Sequence, residues 1–471
     1  MVALSQGGSS LGDAMFKSIR SQDMRNDGSG SGVTRREIMK LAGAAGTALS
    51  AGIVLPRMSW AADAPPQIPV GQIVPFTGSA AEYGKYYRDA AQLAFDQINT
   101  AAKEAFGGPI IGNHITADSN TLPTPAIAAA RKMVEADNVP AIIAAWSSGV
   151  TVAIATSVTI PAGVLQVGNG TTSPLVSVLP EDATADLLFR TSPSDVLQGI
   201  IAAELAAGKI IPDYKFTKVS TVYINNPYGQ GLSNAFAAAF EKRGGKVLAQ
   251  VPHPEEVQPT YKSQIQAALE GKPELIIAVT YPAHTAAIIK EARDIFNFTN
   301  FQFTDANRSD DVLKAVGAKT LEGKYGTVPS ADPKSQTYKD FSALFMKTYK
   351  YDHVPPFTET TYDAAMVIGL AMAKAVADGK QLKDITGHVL AQNLRPVCNP
   401  PGEKILGGSQ DSITAGLKAI AAKKDTDYVG AGGSVDFDKN GDVKTPYAIW
   451  KWTATGTEDV QIVPAEDIPS Q

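Results

Sequence analysis

Val219-Ser220-Thr221-Val222-Tyr223-Ile224-Asn225-Asn226-Pro227-Tyr228-Gly229-Gln230-Gly231 decides the fold class. Val219–Ile224 is rich in β-branched and aromatic residues and lacks a sustained polar alternation. A strand buried on both faces reads this way, as strands of parallel sheets do. Pro227 and the glycines then open a helical stretch, Gly231–Arg243. Outward from this unit the pattern repeats. Predicted strands lie at Val70–Val74, Ile115–Asp118, Ala141–Ala145, Val164–Val167, Lys246–Val251, Leu275–Val279 and Phe301–Phe303. Helical stretches lie between them at Lys85–Ala102, Pro125–Asp137, Val196–Ala207, Tyr261–Glu270 and Thr285–Phe296. Strands alternating with helices imply βαβ units, parallel sheets and right-handed crossovers.

The pattern has a seam near Phe189-Arg190-Thr191-Ser192-Pro193-Ser194-Asp195. Similar numbers of strand–helix pairs lie on each side of it. The expected architecture is α/β, with two doubly wound lobes. Each lobe turns the carboxyl ends of its strands toward a shared cleft, where small molecules bind. The later chain is less regular. Thr358–Asp378 carries the helical stripe Tyr362, Met366, Leu370 and Ala373, read as core. Pro396–Gly408 reads as a Pro/Gly loop, and Ala448–Trp452 with Glu458–Val463 as a final hairpin.

The N-terminus reads as an address. Thr34-Arg35-Arg36-Glu37-Ile38-Met39-Lys40 precedes an apolar run from Leu41 to Leu55, then Ser59-Trp60-Ala61-Ala62-Asp63-Ala64. That order matches a twin-arginine export signal with cleavage near Ala61, or after Ala64 as second choice. The run is short of the roughly 20 residues a retained membrane anchor needs. Residues 1–61 are set apart as leader and the product is expected in the periplasm, with the twin-arginine export machinery as a partner. The chain of 471 residues has a formal net charge of −5 and the leader is basic, so the remainder is mildly acidic. Without a basic run it offers little to a phosphate backbone, and no nucleic-acid partner is expected.

Sites for chemistry are sparse. Gly229-Gln230-Gly231 lacks the third glycine of a dinucleotide fingerprint and reads as a helix-opening turn. Asp436-Phe437-Asp438-Lys439-Asn440-Gly441-Asp442 resembles the start of a calcium loop, but its twelfth position is Tyr447 rather than Glu. Asn440-Gly441 reads as a hairpin turn. The five His residues are scattered, and no Gly-x-Ser-x-Gly elbow appears. The single Cys398 reads as a structural thiol in an irregular loop. No catalytic residue, metal ligand or cofactor is assigned. What remains are polar and aromatic residues just past strand ends. These are Trp146-Ser147-Ser148-Gly149, Gly168-Asn169-Gly170-Thr171-Thr172, Asn226-Pro227-Tyr228-Gly229, Tyr281-Pro282 and Asp305-Ala306-Asn307. Hydroxyls and free N–H groups at helix starts suit a carboxylate, and aromatic rings cover the apolar part of a small ligand.

At these positions the chain resembles the periplasmic solute-binding proteins of branched-chain amino-acid ABC transporters. The resemblance runs through Ile68-Pro69-Val70-Gly71-Gln72-Ile73-Val74-Pro75-Phe76-Thr77-Gly78, Tyr83-Gly84 and Ala94-Phe95-Asp96-Gln97-Ile98-Asn99. It continues at Phe189-Arg190-Thr191, Pro227-Tyr228-Gly229, Thr360-Thr361-Tyr362-Asp363-Ala364 and Val435-Asp436-Phe437 with Gly441-Asp442. It implies a type I periplasmic binding protein: two lobes joined by three crossovers, here near Arg190–Pro193, Pro329–Pro333 and Lys444–Pro446. Lobe 1 would take residues 62–192 plus 330–444, and lobe 2 residues 193–329 plus 445–471. It implies a carboxylate site at the Ser148 hydroxyl, Thr172 and the backbone of Ser147 and Gly170, with Thr171 beside it. Trp146 would meet the ligand side chain, Tyr228 and Tyr281 would come from the second lobe, and Tyr83 and Phe76 would sit at the rim. The implied partner is an inner-membrane ABC permease. One departure stands out. The family places an acid for the ligand ammonium after the strand that here is Phe301–Phe303, and an ungapped alignment puts Asn307 there, with Asp305 two residues earlier. The expected ligand is then a small carboxylate or amide, with a neutral amino acid next. A sensory binding protein and a periplasmic enzyme are the alternatives.

Overall fold

The computed structural model describes residues 64–468. The leader, its twin-arginine motif and its cleavage site lie outside the described residues. The first sheet holds β1 (Ile68–Val74), β2 (Ile111–Asp118), β3 (Ala141–Ile143), β4 (Leu165–Gly168) and β5 (Leu188–Arg190), in the order β2-β1-β3-β4-β5. Every pairing in it is parallel. Helices α1 (Gly84–Phe106), α2 (Pro123–Glu135) and α3 (Ser148–Ile154) are its crossovers. The second sheet holds β6 (Lys218–Ile224), β7 (Lys246–His253), β8 (Leu275–Val279) and β9 (Phe301–Gln302), in the order β7-β6-β8-β9, again parallel. Helices α4 (Asp195–Ala206), α5 (Pro227–Lys242), α6 (Lys262–Leu269) and α7 (Pro282–Phe296) serve it, and α8 (Asp310–Val316) follows β9. Most predicted strands stand within a few residues of their predicted bounds. β5 was not predicted: three residues at the seam are too short to show a pattern, yet their edge groups pair with β4.

Beyond β9 the chain returns to the second sheet. The Phe303 amide donates to the Tyr325 carbonyl at 2.9 Å, which aligns β10 (Tyr325–Pro329) beside it. β10 pairs antiparallel with β13 (Tyr447–Trp452), and β13 with β14 (Thr457–Val463). The final hairpin is thus present, and it extends the second lobe. Between β10 and β13 the chain crosses to the first lobe as α9 (Gln336–Tyr349), α10 (Thr358–Ala377), α11 (Gly387–Cys398), β11 (Glu403–Leu406), α12 (Gln410–Ala421) and β12 (Thr426–Val429). α10 is more than a striped helix. It is buried on nearly every side, packed against α1, α11 and α12, so its Ala, Gly and Met residues are core on all faces. The stretch read as a Pro/Gly loop is largely ordered. Cys398 closes α11 and is fully buried, and Glu403–Leu406 pairs in parallel with β12. The turn at Asn440-Gly441 stands, with Asp438 Oδ1 accepting from the Asn440 and Asp442 amides. The flanking segments do not pair as a hairpin, because Asp442 turns inward to an arginine described below.

Glu359 sits in the first turn of α10, buried, and burial pushes its carboxyl from 4.5 up to about 7. The unfolded chain ionises near 4.5 and the folded one near 7, so folding is favoured most below 4.5. As pH rises through that window the native state loses up to about 3 kcal/mol from this group. Glu359→Gln is therefore expected to raise Tm at pH 8 and to change it little at pH 4.5. Equal shifts at both pH values would remove the ionisation argument.

Candidate functional site

In each sheet the first strand is central and its neighbours lie on opposite sides: β2 and β3 flank β1, and β7 and β8 flank β6. Consecutive connections therefore leave in opposite directions and open a crevice at the carboxyl ends of the strands, where α/β proteins bind ligands. The loops at these ends carry the residues singled out from the sequence.

On the first lobe, Trp146 and Ser147 follow β3. Ser147 caps α3, its hydroxyl accepting from the Val150 amide, and Ser148 Oγ accepts from the Ser173 amide at 3.2 Å. Gly170 lies flat under the Trp146 indole, where an added Cβ would stand 2.3 Å from Trp146 Cδ1. The loop Gly168–Ser173 is held from below by Arg190, whose Nη1 donates to the Thr171 and Ser173 carbonyls. Arg190 is wholly buried and paired through Nε and Nη2 with the Asp442 carboxylate at 2.7 and 2.9 Å. That ion pair engages Asp442, the seventh position of the calcium-like segment.

On the second lobe, Asn226 caps α5, its Oδ1 accepting from the Gly229 amide at 3.0 Å. An added Cβ on Gly229 would meet the Ile224 carbonyl at 2.0 Å, so this glycine serves close packing rather than an anion cradle. Tyr228 and Tyr281 stack with centroids 5.6 Å apart, and the Tyr228 hydroxyl donates to Asp305 Oδ1 at 2.8 Å. Asp305 thus faces this aromatic wall. Asn307 does not meet it with a free group. Its Oδ1 accepts from Thr304, and its Nδ2 donates to the Thr280 carbonyl and the Thr285 hydroxyl. The side chain that the ungapped alignment set opposite a ligand is thus engaged within the protein. The short turn after β9 sets Asp305 against Tyr228 and uses Asn307 to fasten β9 to α7.

The lobes meet over the site. The Tyr281 hydroxyl donates to Ser147 Oγ at 2.9 Å, Ser173 Oγ donates to the Pro227 carbonyl at 2.8 Å, and the Tyr83 hydroxyl donates to the Arg308 carbonyl at 3.2 Å. Glu82 reaches from the first lobe to the start of α8, accepting from the Asp310 amide at 2.8 Å and from the Ser309 hydroxyl. Trp146 lies against Tyr281 on one side and Tyr83 on the other, at centroid distances of 4.8 and 5.5 Å. Tyr83, Trp146, Tyr281 and Tyr228 are each 3% exposed or less. Phe76 is half-buried at the rim, with the Arg88 guanidinium 6.0 Å from its ring.

Several buried polar atoms here have no hydrogen-bond partner among the described residues: Trp146 Nε1, the Thr171 and Thr172 hydroxyls, both carboxylate oxygens of Asp195, and Gln198 Oε1. Buried polar groups are ordinarily paired, so such a group of atoms in one place calls for an explanation. The sequence reading left Asp195 at the end of the seam and Gln198 in the helical stretch Val196–Ala207. Their visible signal was a helix start, Ser194-Asp195, directly after β5. Burial raises Asp305 to about 6, against the pull of Tyr228 and Gln198. Burial, and then the charge of Asp305, push Asp195 well above the usual carboxylate range. Among the described residues no group of three or more His, Cys, Asp or Glu is placed to hold a metal, and none of the helices is long and apolar enough to cross a membrane.

A hydroxyl- and indole-lined site, walled by aromatics and enclosed where two parallel sheets meet end to end, defines a two-lobed binding protein. Residues 67–457 match the sequence model of the periplasmic binding protein family, and the chain belongs to that family. It is 26% identical over 410 residues to the chemotactic signal transduction system substrate-binding protein BasB of Halobacterium salinarum, covering 84% of this chain and 89% of that one. It is also 26% identical over 356 residues to Leu/Ile/Val-binding protein homolog 3 of Brucella melitensis, covering 71% and 89%. The leucine-binding protein LivK of Thermotoga maritima superposes with a TM-score of 0.68 at 21% identity, over 85% of this chain and 99% of that one. The fold is that of the type I periplasmic binding proteins. These relatives are binding proteins rather than enzymes.

Proposed function

We propose that this protein captures a small amino acid, carboxylate or amide between its lobes and delivers it to an inner-membrane ABC permease. The observation that carries the reading is the closure across the cleft. Tyr281 spans from the second lobe to Ser147 at the start of α3, sealing Trp146 and the Ser/Thr loop from water. A ligand that touches both lobes favours this closed arrangement over an open one, so binding shifts the population. Exclusion of water strengthens each hydrogen bond made inside. The carboxylate or amide oxygen of the ligand would lie near Ser148, Thr172 and the backbone of Ser147 and Gly170. The place of action is the periplasm, reached by twin-arginine export with cleavage near Ala61.

Tyr281→Ala is expected to weaken ligand binding at least tenfold while leaving the protein folded, since it removes the spanning hydroxyl and one ring of the wall. Calorimetry on protein refolded to strip bound ligand measures it, and an unchanged affinity would move the site elsewhere. A sensory role is the second reading, favoured by the similarity to BasB, whose name places it in a chemotactic system. Deleting the gene separates the two. Loss of solute uptake supports delivery to a permease, and loss of the chemotactic response alone supports the sensor.

A further inference from the structure

Asn226 stands between β6 and α5, and each polar atom of its side chain has one permitted role. A backbone N–H can only donate, so the Asn226 atom that meets the Gly229 amide at 3.0 Å is Oδ1. Nδ2 then faces the other way, with both hydrogens used. It donates to Glu255 Oε1 at 2.7 Å and to the Tyr281 hydroxyl oxygen at 3.1 Å. An amide nitrogen accepts nothing, so the Tyr281 proton goes to Ser147 Oγ at 2.9 Å. Ser147 Oγ also accepts from the Val150 amide at 3.5 Å. With both lone pairs occupied, the Ser147 hydroxyl has only its own proton left to give.

Glu255 holds the head of this chain of hydrogen bonds. The loop that carries it follows β7 and is fastened by two buried imidazoles. His253 Nδ1 donates to the Pro254 carbonyl at 2.8 Å, and His284 Nε2 to the Glu255 carbonyl at 3.0 Å. The carboxylate lies against the start of α3 in the first lobe. An added Cβ on Gly149 would stand 3.0 Å from Glu255 Oε1, so the missing side chain leaves room for the acid. An ionised carboxylate only accepts, and it keeps Nδ2 of Asn226 turned toward it, in agreement with the Gly229 bond. Hydrogen bonds that point the same way along a chain polarise one another, so the last donor gains from those behind it. The chain is complete only with the lobes together, because Tyr281 and Ser147 lie on opposite sides of the cleft.

We propose that Asn226 and Glu255 are positioning residues that set the direction of this chain, so that the closed site offers the Ser147 proton to an oxygen of the solute. The proposal rests on the reading of the cleft as the solute site. It adds one demand on the solute: an acceptor oxygen, carboxylate or amide carbonyl, within reach of Ser147 Oγ. Asn226 need not touch the solute. Its part is to make Tyr281 a donor. With an acceptor in place of Nδ2, the Tyr281 proton would turn to position 226 and Ser147 would donate to Tyr281. The solute oxygen would then face lone pairs instead of a proton.

The test separates direction from structure. Asn226→Asp combined with Glu255→Gln keeps an acceptor for the Gly229 amide and a donor–acceptor pair between positions 226 and 255, but leaves nothing to donate to Tyr281. The probes are L-leucine, 4-methylpentanoate, benzoate and acetamide, titrated by calorimetry into the full protein after refolding to strip bound solute. The probe that binds tightest is carried through the variants. The double variant without solute should melt within about 3 °C of the wild type. Its affinity should fall about tenfold to 100-fold, as the loss of one donor to a polar or charged oxygen does. Glu255→Gln alone still offers Asn226 an acceptor and should bind within about threefold of the wild type. Ser147→Ala ends the chain, so adding the double change to it should cost no further affinity. Wild-type affinity in the double variant overturns the proposal while leaving the cleft as a binding site. A loss as large in the Ser147→Ala background does the same. If the double variant does not fold, Asn226→Ser, which still caps α5, is compared in the same two backgrounds, with the same outcomes deciding. Binding of no probe by well-folded wild-type protein overturns the solute-site reading itself, and this proposal with it.

Discussion

Asp442→Ala is expected to cost the protein about 3–5 kcal/mol, because it strands the buried Arg190 guanidinium without its carboxylate. The loss should reach the ligand site as well. Arg190 donates to the Thr171 and Ser173 carbonyls at 3.3 and 2.9 Å, so it holds the loop that presents Thr172. Urea unfolding followed by ligand titration reads both effects. A second variant separates them. Arg190→Met combined with Asp442→Leu removes both charges at once and should recover much of the stability, since well-packed apolar replacements of buried ion pairs are often neutral. It should not recover the affinity, because the two loop carbonyls then have no donor. A loss below about 1 kcal/mol for Asp442→Ala would mean that the pair is solvated in solution.

Gly170→Ala should act on the site directly. The added methyl would stand 2.3 Å from Trp146 Cδ1, and the indole is wedged between Tyr83 and Tyr281, so it cannot move aside freely. Overpacking of this kind typically costs about 1–3 kcal/mol. The larger consequence is a displaced ring in the ligand wall, and we expect a loss of affinity of tenfold to 100-fold. Gly456→Ala is the control: an added Cβ there meets nothing within 4 Å, so stability and binding should both hold. If Gly170→Ala binds as the wild type does, the Trp146 ring is not part of the ligand wall.

The regular halves of the molecule were legible because burial on both faces forces a continuous apolar strand, and helices must alternate with strands to build a parallel sheet. Leu275–Val279 was read to the residue for this reason. β5, β10 and β11 were not, being three to five residues long and shaped by the neighbours they pair with. The cleft residues were legible as a group by the same logic, since loops at the carboxyl ends of parallel strands converge. Ser147, Trp146, Tyr228 and Tyr281, singled out that way, do come together in the structure. The bonding of Asn307 to Thr280 and Thr285 was not legible, because an ungapped alignment cannot see the tight turn after β9.

By itself, then, the chain determined the α/β class, the two-lobed fold, the family and the turns at the strand ends. Periodicity and local turn chemistry are properties of consecutive residues, and they survive in one dimension. Only the tertiary structure decided which side chains Asp305 and Asn307 bond, what Asp442 pairs with and why Gly170 has no side chain. Those answers depend on contacts between residues far apart in sequence: Arg190 with Asp442, Asp305 with Tyr228, Tyr281 with Ser147. Burial and charge compensation are set by whatever folds against a group, and a local stretch of sequence carries no record of that.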